Sequence, residues 1–295
     1  MPSWESIDAS GWRTLDDEPM GTKEKRWLSD PDGHRWLFKA SRVRDGITRG
    51  EDWAEWIARC LADALEIPAA IVKPAVRDTK RGILSLSLVA ADERLVSGNE
   101  LLAAIDDEYD SSMSRHNPRY TVDAVLRALD GLPPPDHGSI PSGFSAFDVW
   151  ASYLMLDSWM AGRDRHHENW GAIEDSAGTR RLAPSFDHGN ALGFQEPEER
   201  LVALSSDPTG LERWARKGSS HHFAGKPQLI DLANQALALA SPTAADHWRN
   251  QLSSASLDRV RAQLSDVPRN ILSESGVTFC HRLLTLNRRR LLDGD

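Results

Sequence analysis

The sequence predicts an α+β protein of two unequal parts, a small sheet-rich half followed by a larger helical half. Three observations predict it. Over the first ninety residues the hydrophobic period switches between two and 3.6, in the order strand, strand, helix, strand, strand. Beyond Ala90 the helical period dominates. Within that second part, an apolar stretch from Ser145 to Met160 runs directly into a polar segment with strand–turn–strand patterning.

The first two strands flank Ser29-Asp30-Pro31-Asp32-Gly33, a run with strong turn chemistry. The second, His34 to Lys39, places Lys39 on the face shared by Leu37 and Arg35. From Thr48 to Leu65 the residues Trp53, Trp56, Ile57, Cys60, Leu61, Ala64 and Leu65 form one apolar stripe, which predicts a helix ended by Ile67-Pro68. Strands are expected over 71–76 and 82–90, and helices over 99–105, 121–129 and 145–160. The Pro-rich segment from Leu132 to Gly143 reads as a loop, and the region after Lys226 as largely helical. Trp53 and Trp56 are expected in the core. The division falls near residue 90, giving parts 1–90 and 91–295.

Composition narrows the function classes. Hydrophobic residues make up 40% and charged residues 27% of 295, the balance of a soluble globular protein. A net charge of −9 argues against a nucleic-acid-coating surface, which needs a basic face; Arg288-Arg289-Arg290 reads as a solvated helix end. Two cysteines, Cys60 and Cys280, without a CxxC pair, indicate neither a disulfide framework nor a cysteine zinc site. The first ten residues lack the basic-then-apolar pattern of a signal peptide, and no apolar run approaches the ~20 residues of a membrane span. A cytoplasmic, soluble protein is expected.

The chemistry concentrates in Gly162-Arg163-Asp164-Arg165-His166-His167-Glu168-Asn169, followed by a hairpin centred near Gly178 and then Phe186-Asp187-His188-Gly189. Asn169 and Asp187 each lie nine residues from Gly178, so the hairpin brings them together at its open end. An amide oxygen and a carboxylate are hard ligands suited to Mg²⁺. Asp164, five residues before Asn169, is placed to accept or orient a hydroxyl proton. Each of these residues alone reads equally well as a turn or cap residue. The ordered set of DxxxxN, hairpin and Asp-x-Gly is much rarer.

Asp164-Arg165-His166-x-x-Asn169 resembles the catalytic loop of phosphatidylinositol-kinase-like enzymes, and Phe186-Asp187-His188-Gly189 resembles their metal-binding segment. The same pieces, in the same order, occur in the bacterial HipA-like kinases. That group is also similar to this chain near Glu55-Trp56 and Leu61-Ala62-Asp63-Ala64-Leu65. The resemblance runs from about Met20 to Lys226. It implies a two-lobed protein-kinase-like fold and an ATP- and Mg²⁺-dependent phosphotransferase acting on a hydroxyl, with a protein Ser or Thr favoured.

Carried over by residue, the resemblance makes Asp164 the catalytic carboxylate and His166 a brace for its loop. Asn169 and Asp187 would hold Mg²⁺. Lys39, paired with Glu55, would contact the phosphates of ATP. Gly21, Thr22 and Lys23 fall in a segment similar to the phosphate-covering loop. It further implies a hinge over Val89–Glu93 that reads adenine and a flexible activation-type region over 190–227, and it leaves an antitoxin-like partner open.

Some positions depart from the group. Glu168 stands where a lysine is usual, and Gly162 where Asn is frequent. Glu18 stands where an autophosphorylated serine is expected, and with the glycine loop expected near residue 20, the group's small N-terminal extra domain is not expected here.

Other assignments stay open on the residues alone. Arg35 or Arg42 could replace Lys39, Glu51 or Asp52 could replace Glu55, and Glu55 could pair with Arg59 one turn on. A lipid or small-molecule kinase would keep the same metal site. A pseudokinase would bind nucleotide without turnover. A metal phosphohydrolase would use His166, His167, His188 and Asp187 on a transition metal, although no HExxH is present. His221-His222 reads as a polar loop pair.

Overall fold

A computed structural model describes residues 3–17 and 25–294. The N-terminal part is a six-stranded sheet in the order β1-β7-β8-β4-β3-β2. Its strands are β1 (Ile7–Asp8), β2 (Arg13–Asp17), β3 (Lys25–Ser29), β4 (Arg35–Ala40), β7 (Val72–Arg77) and β8 (Lys80–Leu86). A short hairpin of β5 (Val43–Arg44) and β6 (Ile47–Thr48) leads into helix α1 (Glu51–Ala64). All pairings are antiparallel except β1 with β7, where Ile7 lies opposite Ala75.

Period-two alternation in β4 divides its side chains between two environments. Trp36 and Phe38 join Leu28, Ala75 and Leu84 in a small core on one face. Leu37 and Lys39 point the other way, into the cleft. Helix α1 carries Glu51 and Asp52 in its first turn, where negative charge suits the helix dipole. Trp56, Ile57, Cys60 and Leu61 are fully buried, so the stripe legible in the sequence is the helix's packing surface.

The larger part holds α2 (Gly98–Ile105), α3 (Val122–Ala128), α4 (Ala146–Trp159), α5 (Glu198–Ser206), α6 (Pro208–Arg216), α7 (Leu229–Leu239), α8 (Pro242–Ser254), α9 (Leu257–Asp266) and α10 (Glu274–Asp293). Every residue of α4 is buried, as expected of a helix apolar on all sides. Ser145 and Asp148 close a capping box at its start, and α7, α8 and α10 pack around it. Among the described residues, no helix is long and apolar enough to cross a membrane.

Three features differ from the sequence expectation. Strands β1 and β2 precede the first expected strand. Residues 94–97 form β9 (Arg94–Ser97), which joins β10 (Gly171–Glu174) and β11 (Arg180–Leu182) in a three-stranded sheet. The region 190–227, expected to be flexible, contains α5 and α6. Trp214 of α6 packs edge-on against Phe279 of α10, with ring centroids 5.2 Å apart.

Candidate active site

The cleft between the two parts has a volume of about 420 Å³ and brings together Lys25, Lys39, Glu168, Asn169 and Asp187. That size lies in the range of small-molecule sites. A second cavity of about 380 Å³ lies beside the start of α1, lined by Trp53, Phe194 and Ile271. Volume does not separate the two; the side-chain chemistry does.

Lys39 is the hub. Its Nζ donates to Glu55 Oε1 at 2.9 Å and to Asp187 Oδ1 at 3.1 Å. Burial disfavours its charge, but the neighbouring Asp187 and Glu55 carboxylates outweigh that and push its pKa up. The competing assignments are occupied elsewhere. Arg42 meets Glu51, Arg81 meets Asp52 and Arg59 meets Asp63. Lys25 approaches the other Asp187 oxygen at 3.7 Å, so the carboxylate lies between two ammonium groups. Gly21, Thr22 and Lys23, like Glu18, lie outside the described residues.

Asp187 adopts φ 58°, a left-handed conformation that Asp tolerates better than most residues. Gly189, two residues on, passes close to α1. A Cβ there would lie 3.1 Å from the Glu51 carbonyl oxygen, so glycine permits the approach that brings Asp187 to Lys39.

The hairpin forms as expected but closes one residue earlier. Ala172 pairs with Leu182 and Glu174 with Arg180, which centres the turn on Ala177. Asp175 Oδ1 accepts from the Ala177 and Thr179 amides there. Extending that register sets Asn169 opposite Ser185, and Asp187 reaches the same cleft two residues further on. Asn169 Nδ2 donates to the Asp164 carbonyl at 2.7 Å, and among the described residues its Oδ1 has no hydrogen-bond donor. An amide oxygen and a carboxylate in one cleft fit a hard divalent cation.

Arg165 organises this arrangement, and sequence reasoning missed it. Its guanidinium donates to both Asp157 oxygens at 2.7 and 2.9 Å, to the Asn169 carbonyl at 2.7 Å and to Ser185 Oγ at 3.0 Å. One buried side chain thereby ties α4, the 164–169 loop and the segment after β11 together. The planar fork of Arg makes that multiplicity feasible. His166, expected as the brace, instead lines the cleft; its Nδ1 lies 3.3 Å from the Glu168 amide and 3.4 Å from the Glu168 carboxylate.

The histidines diverge rather than converge. His167 Nδ1 meets the Tyr109 hydroxyl at 2.7 Å, away from the cleft, and His188 faces Asp157 at 3.5 Å. Burial is the main reason the His167 pKa falls to about 4. Among the described residues, the one group of three potential His or carboxylate ligands within reach of each other is Asp30, Asp32 and His34, at the turn between β3 and β4.

The far wall of the cleft also differs from expectation. Ser85 to Val89 line it, upstream of the expected hinge at Val89–Glu93, where the Ala90 amide is taken by Glu93. The Ser87 amide donates to Arg35. Among the described residues, the Leu88 amide and carbonyl make no hydrogen bond.

No protein-family profile and no curated relative matches the chain. Solved structures do. The proinflammatory kinase CtkA of Helicobacter pylori aligns with a TM-score of 0.76 at 16% identity, covering 98% of this chain and 96% of its own. HipA of Shewanella oneidensis, solved with HipB and operator DNA, aligns with a TM-score of 0.62 at 10% identity, covering 96% of this chain and 67% of its own. At these identities the likeness concerns the fold. The chain therefore has the two-lobed α+β kinase fold, with HipA-like kinases among its structural neighbours.

Proposed function

We propose that this chain is an ATP- and Mg²⁺-dependent phosphotransferase that moves the γ-phosphoryl group to a hydroxyl, with a protein Ser or Thr as acceptor. The observation that carries the reading is Lys39, bonded at once to Glu55 and Asp187 in a cleft that also holds Asn169. A buried ammonium fixed between two carboxylates is a costly arrangement unless it serves a site.

In this reading the free Leu88 backbone groups read the adenine edge, and Lys39 and Lys25 take the phosphates. Asn169 Oδ1 and Asp187 would hold Mg²⁺, which when bound neutralises phosphate charge. Asp164 accepts the acceptor's hydroxyl proton, and positioning supplies most of the rate. The carbonyl of Asp164, bonded to Asn169 Nδ2, keeps the proton acceptor and the metal ligand in fixed relation.

The test is transfer of label from γ-labelled ATP to a protein or peptide library, with phosphoinositides and small alcohols as competing acceptors. Label on Ser or Thr that Asp164→Asn reduces at least 100-fold supports the proposal. Label confined to lipid or small alcohols would replace the acceptor class. No transfer, with ATP still bound, would make the chain a nucleotide-binding pseudokinase. An antitoxin-like partner is the remaining inference from the HipA-like resemblance, and co-purification from a native source tests it.

A further inference from the structure

Asp164 does not stand alone. Its Oδ1 lies 3.1 Å from Nε2 of His222, and Nδ1 of the same ring lies 2.6 Å from the Ser114 carbonyl oxygen. A backbone carbonyl only accepts, so Nδ1 carries a proton. An ionised carboxylate also only accepts, so Nε2 facing it carries one too. Burial resists ionisation of Asp164, but the His222 hydrogen bond and the charges of His166 and His222 hold its carboxyl below the ordinary range. A hydrogen bond to an ionised carboxylate is the strong, charge-assisted kind.

The local structure explains how a loop residue reaches this position. Phe223, next in sequence, stacks on Tyr120 with centroids 4.0 Å apart and is fully buried. The Ala224 amide donates to the Tyr120 carbonyl, the His116 amide to the His221 carbonyl, and the Ser220 amide to the Pro227 carbonyl. Phe223 thus pins the loop to the core and presents His222 to the catalytic loop. The titratable groups facing His222 are Asp164 and His166, whose ring lies 5.2 Å away, with His167 behind and His221 beside it.

We propose that His222 is a positioning residue for phosphoryl transfer, clamping Oδ1 of Asp164 so that Oδ2 remains for the acceptor hydroxyl. This rests on the phosphotransferase reading only for the role of Asp164. In the step itself, the acceptor oxygen bonds to the γ-phosphorus as the bond from that phosphorus to the bridging oxygen breaks and ADP leaves. The hydroxyl proton passes to Oδ2, while the Nε2 proton stays on His222. The ring, held at its far side by the Ser114 carbonyl, keeps Asp164 aimed between turnovers.

Three variants separate this role from simple loop support. The amide of Gln extends to where Nε2 stood, and that of Asn to where Nδ1 stood. With MgATP and the hydroxyl acceptor found in the labelling assay, His222→Ala should lower kcat by about 10- to 100-fold, below the roughly 10²- to 10⁴-fold contribution of a general base itself, and leave the KM for ATP within about twofold. His222→Gln should recover most of the rate and His222→Asn should not. The reverse order, or three variants equal to wild type, would overturn the proposal. A second measurement needs no turnover. Nitrogen-15 NMR of the full chain should find the Nε2 resonance of His222 moved by Asp164→Asn, and its Nδ1 resonance, held at the Ser114 carbonyl, moved far less. An Nε2 resonance that this substitution leaves in place would refute the pair even if the kinase reading stands. Wild type that transfers phosphoryl to no acceptor would refute that reading and leave the NMR result to decide the pair.

Discussion

Replacing Asp157 by Asn removes one charge from a buried ion pair while barely changing side-chain volume. Asp157 and Arg165 are less than a tenth exposed, so water cannot compensate the guanidinium left behind. Breaking one partner of such a pair costs about 3–5 kcal/mol. At about 2.1 cal/mol/K per residue, the unfolding entropy of 295 residues is about 0.6 kcal/mol/K. Unfolding as one unit, Asp157→Asn should therefore melt about 5–8 °C below wild type by calorimetry. The difference has a defined pH dependence. Burial opposes the Asp157 charge, but Arg165 and His188 outweigh it and depress the carboxyl pKa. A depressed carboxyl contributes fully above the ordinary Asp value of about 3.9 and loses its contribution as pH falls through the folded value. The two proteins should differ by a constant amount above about pH 5 and converge in acid below about pH 4. A difference under about 2 °C at pH 7 would mean that the pair does not hold the 164–169 loop.

Other perturbations have equally direct outcomes. Lys39→Met should weaken MgATP binding at least tenfold by calorimetry, whereas Arg42→Met, whose partner is Glu51, should leave it unchanged. Asp187→Ala should melt below Asp187→Asn in the absence of nucleotide, because φ 58° costs alanine on the order of 1 kcal/mol more. His167 is buried and neutral, with its pKa lowered to about 4 against about 6.5 when unfolded. The unfolded chain binds the extra proton between those values, so stability should fall by about 2–3 kcal/mol as pH drops from 6.5 to 4. His167→Phe should remove much of that slope in denaturant titrations.

The parts of the fold visible in the sequence were those set by local periodicity. The α1 stripe, the buried α4 and the alternation that turns Lys39 away from Trp36 and Phe38 follow from neighbours within a few residues. Strand β9 was not visible. Arg94-Leu95-Val96-Ser97 is short, and it becomes a strand by pairing with Gly171–Glu174, more than seventy residues away. The cleft wall lies over Ser85 to Val89, a few residues before the stretch expected to form it, and the Glu93 side chain caps the Ala90 amide, a contact that periodicity does not encode. Residues 190–227 were expected to be flexible from the kinase resemblance, yet they contain two helices, and Trp214 packs against Phe279 of α10.

The site divides in the same way. Asp164, Asn169 and Asp187 stood out because their order and spacing carry the geometry. Arg165 did not, since an arginine in a charged run looks solvated until α4 closes over it. His222 could not be distinguished from a polar loop residue without its partner, 58 positions earlier. Its signal in the sequence was the adjacent Phe223, an aromatic in a Gly- and Ser-rich loop, which marks a loop fixed to the core.

The most direct test of the central claim is the melting temperature of wild type and Asp187→Asn with ATP, with and without Mg²⁺. At a nucleotide concentration 100 times its Kd, binding contributes about 2.7 kcal/mol, or about 4 °C by the entropy used above. A rise of that size in wild type, larger with Mg²⁺ than without and reduced in Asp187→Asn, is the predicted result. Folded protein whose melting temperature no nucleotide moves would contradict the assignment of the cleft to ATP.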